Sequence, residues 1–554
     1  MIDAVIIPSL EKVFPGTDIA SLKSLSKISV LRGERLSFQL AYRESEPAWK
    51  LHRVWYTPRV TGPLADFVSI RLVDFIPSKM PVYPGRWRLD NYLTTEPGLF
   101  PDLLSDLSMG GMAPVCNFQT RCLWVSLDIP RDLPGGEYEI SVGLYAGENA
   151  AVSKTLTVKV IPAVLPEQKM QVTQWFHCDC LADYYRVEIF SERHWEIIEN
   201  FAATAVKNGI NTLLTPVFTP PLDTAIGHER KTVQLVGVTL EDGRYSFDYS
   251  LLDRWIDMCD RIGIKYLEIS HFFTQWGAAH APKIIATVDG VRRRIFGWDT
   301  DATGEEYVSF LNSFIPDFLA HMRARGDDRR CIFHVSDEPN EKNLEQYGRS
   351  RAVVAPLLEG YICMDALSNI EFWKRGYVST PCPANNHIEP FLEANVPGLW
   401  TYYCCSQGEG VSNRFFAMPG ARTRAIGMQL YKYSIAGFLQ WGYNFYYNQG
   451  SYDFVNPYAD STGDYFVPSG DAYSVYPAQD GTALESMRLV QFYEGLQDRS
   501  AMELCESLIG RERVIKALEE AYGREIKFSH CPASSEAMLA IREKINLLIE
   551  SAVE

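Results

Sequence analysis

The segment Cys331-Ile-Phe-His-Val-Ser-Asp-Glu-Pro-Asn340 sets two carboxylates, Asp337 and Glu338, side by side at the end of an apolar run. Carboxyls forced together raise each other's cost of ionisation, so one of them holds a proton to higher pH than a free Glu does. A group in that state can act as a general acid. Pro339 has no amide hydrogen, so the run cannot continue as a ladder donor and the pair falls at a strand end. The plain alternative is a turn in which Asp337 caps a following helix, since Asp and Glu before Pro are common at helix starts.

Adjacency restricts the chemistry. A glycosidase with a protein nucleophile needs carboxyls about 5 to 5.5 Å apart, and an inverting one about 6.5 to 9.5 Å, on opposite faces of the sugar. Neighbours in sequence rarely straddle a ring, but they can serve one side of it. Glu338 would sit at the glycosidic oxygen and Asp337 at a 2-acetamido group whose own carbonyl oxygen attacks C1. The pair therefore predicts substrate-assisted hydrolysis and a glycan or glycoside ending in an N-acetylhexosamine. If that reading fails, Asp365, Glu268, Asp179, Glu371 and Glu409 are the spare carboxylates for a protein nucleophile. A non-catalytic glycan-binding protein is the alternative from another class.

Elements of two kinds must position the pair. Residues 1–165 alternate apolar and polar, as in Leu36-Ser-Phe-Gln-Leu-Ala-Tyr42 and Leu123-Trp-Val-Ser-Leu-Asp-Ile129, with Pro and Gly between the runs. That pattern predicts an all-β domain, a β-sandwich. Pro162 and Pro166 mark a linker. From 170 to 485 helical faces end at glycines and lead into apolar strands: Gly209 before Ile210, Gly263 before Ile264, Gly326 before Cys331 and Gly360 before Tyr361. Strands are expected at 172–178, 212–217, 266–271, 331–336, 361–366, 376–380, 398–404 and 437–444. Eight parallel strands with helical crossovers predict an α/β fold, a TIM-like (β/α)8 barrel, with chemistry at the C-terminal strand ends. Residues 486–554 are expected to be a helical C-terminal tail packing back on the barrel.

On that scheme further residues reach the site. Trp441, Tyr443 and Asn444 follow the last strand, where aromatic faces can hold the apolar side of a pyranose and Asn can bond hydroxyls. Tyr402 and Tyr403 end the seventh strand, and alternation sends only one of them inward. His177 and His271 end the first and third strands, and Trp276 follows in the next loop; a core role is the plain alternative for each histidine.

Composition excludes other classes. A net charge of −16 over 554 residues argues against nucleic acid or an anionic membrane surface as partner. No apolar run reaches the ~20 residues that span a bilayer, and no signal peptide is read at Met1, so a cytoplasmic location is expected. The 12 cysteines look like reduced core residues. No cofactor is called for: no Gly-x-Gly-x-x-Gly loop follows the first strand. Neither His177-Cys178-Asp-Cys180 nor Cys404-Cys405 has a second cluster at zinc spacing, so no metal is expected.

The chain resembles glycoside hydrolase family 123. The resemblance rests on Leu123–Tyr138, Trp175-Phe-His177, Ser336-Asp-Glu-Pro339, Gly437-Phe-Leu-Gln-Trp-Gly-Tyr-Asn-Phe-Tyr446, Tyr476-Pro, Ser486-Met-Arg488 and Glu494-Gly-Leu-Gln-Asp498. It implies a retaining, exo-acting β-N-acetylgalactosaminidase working through an oxazolinium intermediate. Asp337 would orient the acetamide, and Glu338 would be acid and then base. One departure is Tyr476-Pro-Ala-Gln-Asp-Gly481 where the family pattern is Tyr-Pro-Gly.

Overall fold

A computed structural model describes residues 1–45, 53–85, 90–532 and 534–553. The N-terminal region is β-rich and forms two five-stranded sheets. One sheet runs in the order Ile2–Pro8, Arg35–Glu44, Arg121–Asp128, Val68–Ser78, Gly98–Ser105; the other in the order Lys27–Arg32, Asn149–Val164, Gly136–Ala146, Arg53–Thr61, Ala113–Cys116. Their apolar faces share one core, with Phe38, Leu40 and Val125 from the first sheet and Val142, Leu156 and Val158 from the second.

The chain then builds an eight-stranded parallel sheet. Its strands are β1 Gln171–Gln174, β2 Thr212–Thr215, β3 Tyr266–Ile269, β4 Cys331–Phe333, β5 Ile362–Ala366, β6 Thr380–Cys382, β7 Trp400–Tyr402 and β8 Gly437–Gln440. They pair in the order β6-β5-β4-β3-β2-β1-β8-β7, and a parallel bridge from Ala384 to Tyr402 joins the two ends into a ring. Helices α1 Glu192–Lys207, α2 Ser250–Ile262 and α3 Glu305–Arg325 lie between strands. The last two stop at Gly263 (φ 93°) and Gly326 (φ 83°), left-handed positions that a Cβ would strain.

Six of the eight strands fall within their expected spans; the first begins one residue early, at Gln171, and the sixth meets 376–380 only at Thr380. There a short helix, Glu371–Lys374, closes through Gly376 N–H to Trp373 C=O and Tyr377 N–H to Phe372 C=O, which delays the extended chain to Thr380. Two hairpins inserted after β2 and β3, Gly237–Asp248 and Ile284–Phe296, pair into a four-stranded sheet.

The C-terminal helices are α4 Met487–Ile509, α5 Arg511–Tyr522 and α6 Ser535–Val553. They reach both β regions. Gln497 exchanges hydrogen bonds with the Arg35 backbone at 2.8 and 2.9 Å, while Arg424 of the barrel meets Asp498 at 2.7 Å. Asn546 donates to Ser29 at 2.8 Å, so α6 lies on the N-terminal sheet. Among the described residues no helix is long and apolar enough to cross a membrane.

Candidate active site

Where β4 ends, the chain bends and is held on both flanks. The Phe272 and Phe273 amides donate to His334 and Val335, the Trp276 amide donates to the Asp337 carbonyl at 2.8 Å, and the Glu338 amide donates to Ala366 at 3.0 Å. The two carboxylates are thereby fixed between the ends of β3 and β5. Glu338 adopts φ 42°, a left-handed backbone that costs a non-glycine residue about 1–3 kcal/mol and that gathers at functional sites.

A cavity of about 70 Å³ opens over them, walled by Trp175, Asp223, Tyr402, Cys404, Cys405, Leu439, Trp441 and Phe466. Asp337 is buried, whereas Glu338 presents its side chain to the open space. Tyr402 donates its hydroxyl to Glu338 Oε1 at 2.8 Å. Burial, the Glu338 charge and the Asp223 charge push Asp337 well above the usual carboxylate range. Desolvation by the surrounding cavity wall also raises Glu338, although its side chain reaches the opening, against the Tyr402 hydrogen bond. The pair therefore keeps a proton to higher pH than separate carboxyls would.

Asp223 is the site residue that strand-end reasoning missed. It lies in the loop beyond β2, with φ 46°, its amide bonded to Gln275 at 2.6 Å and its carbonyl to Ser451 at 2.7 Å. Burial, together with the Glu338 and Asp471 charges, raises it to about 7 against the pull of Arg230. Trp175, quoted above only as part of a motif, walls the cavity and donates its indole N–H to Glu268 at 2.8 Å.

The other expected residues are placed as follows. Tyr402 is the inward one of its pair; Tyr403 is buried against Phe438, and its hydroxyl has no hydrogen-bond partner among the described residues. Trp441 walls the cavity and donates to Asp471 at 2.8 Å. Tyr443 and Asn444 lie behind that wall. Gly442 packs where a Cβ would stand 2.2 Å from the Ala472 carbonyl oxygen, and beyond it Tyr443 bonds the Phe201 carbonyl at 2.8 Å while Asn444 clamps the His177 backbone at 2.9 and 3.0 Å. His177 is also structural in placement: its ring meets the Trp441 carbonyl at 3.0 Å and Arg230 at 3.2 Å, and burial beside that guanidinium lowers it to about 3. Trp276 stands on the rim, 47% exposed, with φ 61°.

His271 lies inside the barrel, stacked on His334 at 4.2 Å. His334 meets Glu268 at 2.7 Å and Asp365 at 3.2 Å, and these bonds outweigh burial and raise it to about 9. His271, His334 and Asp365 offer metal-type ligand atoms within 4.8 Å of one another. Both His334 nitrogens are already engaged by carboxylates, which is the environment of an imidazolium rather than of a metal ligand. Of the spare carboxylates, Glu268 and Asp365 belong to this buried cluster, and Asp179 is paired with Arg230 at 2.7 Å.

Residues 175–505 match the family described as glycoside hydrolase 123, catalytic domain. The chain belongs to glycoside hydrolase family 123. A structure of a family 123 glycoside hydrolase from Clostridium perfringens, described for glycolipid glycan hydrolysis, superposes with TM-score 0.72 at 15% identity, covering 100% of this chain and 97% of that one. A Bacteroides ovatus GH5 xyloglucanase (9% identity, 85% of this chain and 98% of that one, TM-score 0.30) and a Ruminococcus gnavus β-glucuronidase (10%, 84% and 66%, 0.29) are more distant. No curated protein matches the chain. Family membership makes the chain a glycoside hydrolase.

Proposed function

We propose that this family 123 hydrolase is an exo-acting, retaining β-N-acetylgalactosaminidase that uses the acetamide of its substrate as nucleophile. The observation that carries the reading is the adjacent pair Asp337–Glu338, both raised by burial and Asp337 also by its neighbour's charge, with no basic side chain bonded to either among the described residues. In the free site the Tyr402 hydroxyl favours the Glu338 carboxylate, so the shared proton rests with Asp337. An acetamide N–H arriving at Asp337 reverses this: it needs an acceptor, and the proton passes to Glu338. Glu338 then protonates the glycosidic oxygen as the acetamide oxygen bonds C1 and the leaving group departs. The Asp337 carboxylate holds the N–H of the cationic oxazolinium. Water, deprotonated by Glu338, opens the ring at C1 and restores the acetamide, with the configuration retained.

Trp175, Trp441 and Phe466 would face the pyranose. The finer architecture belongs to the same reading: a β-sandwich over 1–165, a catalytic barrel over 170–485 and a helical segment over 486–554. The described activity of the Clostridium relative makes a glycolipid headgroup glycan a natural substrate to assay.

Turnover of aryl β-N-acetylgalactosaminide against aryl β-galactoside tests the proposal. Cleavage of the acetamido substrate alone, with competitive inhibition by a thiazoline mimic of the cyclised intermediate, is expected; cleavage confined to the galactoside would eliminate substrate assistance. One observation favours a second reading. Asp223 lines the same cavity and could serve as a protein nucleophile, in which case N-acetyl would not be required.

A further inference from the structure

Inside the barrel, Glu268 of β3, Asp365 of β5 and His334, one residue past β4, are each 1% exposed or less. A barrel interior is ordinarily filled by branched apolar side chains, and a buried ion triad is often no more stabilising than apolar residues of the same volume. Stability alone is a weak account of these charges, but both ends of the triad reach the active site. At one end Asp365 accepts the Val335 amide at 3.0 Å and the Ser336 amide at 3.4 Å, the two residues that lead into Asp337. The next residue of β5, Ala366, accepts the Glu338 amide at 3.0 Å, and Tyr347 donates its hydroxyl to Asp365 at 2.5 Å. At the other end Glu268 accepts the Trp175 indole N–H at 2.8 Å and the Thr173 hydroxyl at 2.5 Å, and Trp175 walls the cavity that holds Asp337 and Glu338. The His334 ring joins the two ends, 2.7 Å from Glu268 and 3.2 Å from Asp365, with His271 stacked on its face at 4.2 Å.

We propose that Glu268, His334 and Asp365 are positioning residues for the hydrolysis: the His334 ring, bonded at both nitrogens to carboxylates, ties the strand end that carries Asp337 to the Trp175 wall that meets the sugar. The inference rests on the reading of Asp337 and Glu338 as the working pair and deepens it by naming what holds them in register with the wall. Asp365 fixes the pair, and Glu268 fixes the wall. His334 lies between the two anions and offsets their repulsion. The triad also acts on the pair through charge. The groups facing Asp337 are Glu338, Asp223 and Asp365, whose charges raise it, and His334, whose charge lowers it.

The test reads the two ends separately, on the aryl glycoside that wild type cleaves best. Asp365→Asn frees the strand end, so kcat is expected to fall about 10-fold with KM within about twofold. His334 keeps its proton on Glu268 while Asp337 loses a negative neighbour, so the acidic limb of kcat/KM should move to lower pH by about one unit or less. Glu268→Gln frees Trp175 instead, and KM is expected to rise about 3- to 10-fold with kcat within about twofold. A purely architectural cluster would show neither the split nor the displaced limb; equal effects of the two variants on both constants, or none, overturn the proposal. If either variant fails to fold, Tyr347→Phe and Thr173→Val each remove a single donor, from Asp365 and from Glu268, and should give the same split at about 2- to 3-fold. Absence of that split overturns the proposal. If wild type cleaves no aryl glycoside, the mechanistic reading fails by itself, and thermal midpoints still read the triad. Asp337→Asn should then raise the midpoint less in the Asp365→Asn background than alone, and equal rises overturn the proposal.

Discussion

Two groups of acids stand in opposite surroundings. Those that join the parts of the molecule are each met by a cation: Asp102 by Arg488 at 2.7 and 2.9 Å, Asp498 by Arg424 at 2.7 Å and Arg542 at 2.9 Å, and Glu485 by Arg71 and Lys207. Burial alone would raise Asp498 and Glu485, but the cations beside them win, holding Asp498 low and Glu485 at about 2. In the catalytic cavity Asp223, Asp337 and Glu338 have aromatic rings and each other for neighbours, and all three are raised. A guanidinium is bonded to each acid of the first group. Among the described residues none is bonded to Asp337 or Glu338, and Arg230 acts on Asp223 only at a distance. Perturbation without a partner thus separates the working carboxylates from the architectural ones.

The contrast is tested most strongly by neutralising one acid of each kind. Glu338→Gln and Asp337→Asn are each expected to lower kcat/KM on substrates with poor leaving groups by about 10² to 10⁴, the usual contribution of a general acid or its partner. Neither should lower the thermal midpoint. Asp337→Asn should raise it near neutral pH, because a carboxyl whose folded pKa is elevated disfavours the folded state once pH exceeds its unfolded value. Loss of activity and stability together would break the distinction. Asp102→Asn should do the reverse. It leaves Arg488 buried without its anion and is expected to cost about 3–5 kcal/mol in urea unfolding, with the specific activity of the folded fraction unchanged.

The His334 clamp is a cation among acids and sharpens the comparison at a smaller scale. Its folded pKa of about 9 lies above the unfolded value of about 6.5. Its contribution to stability is therefore complete below about 6.5 and is lost as pH rises through about 9. Wild type should lose more stability between pH 6.5 and 9 than His334→Gln does; parallel profiles would place the proton elsewhere.

Much of this was legible in the sequence, for physical reasons that differ by residue. The barrel strands are short apolar runs behind glycine-ended helices, so six lie within the spans periodicity gives and the first begins one residue early. Asp337 and Glu338 were legible as a pair because Pro339, which cannot donate to a ladder, follows them, although the strand itself already stops at Phe333. Of Tyr402 and Tyr403 sequence could say only that one faces in; the pleat of β7 turns Tyr402 inward and Tyr403 to Phe438. Tyr443, Asn444 and His177 were expected at the cavity and lie behind it, because the close approach of Gly442 to Ala472 is a contact between distant segments. The ion pairs were hidden for the same reason: nothing local joins Asp102 to Arg488. Asp223 was hidden by its place in a loop well past Thr215, although a left-handed aspartate among prolines and threonines is itself a turn signal.

The finest test concerns that same aspartate. Asp337 feels the Glu338, Asp223 and Asp365 charges, which raise it, and the His334 charge, which lowers it. In the acetamide mechanism Asp337 must be ionised, so the acidic limb of kcat/KM reports the first loss of a proton from the Asp337–Glu338 pair. Asp223→Asn removes one negative neighbour. Ionisation of the pair becomes easier, its lower apparent pKa falls, and the acidic limb should move to lower pH by about one unit or less, with the maximum rate changed little. Were Asp223 the nucleophile, the same substitution would abolish turnover instead of displacing the profile. A single variant thus separates a carboxylate that tunes the pair from one that bonds the sugar.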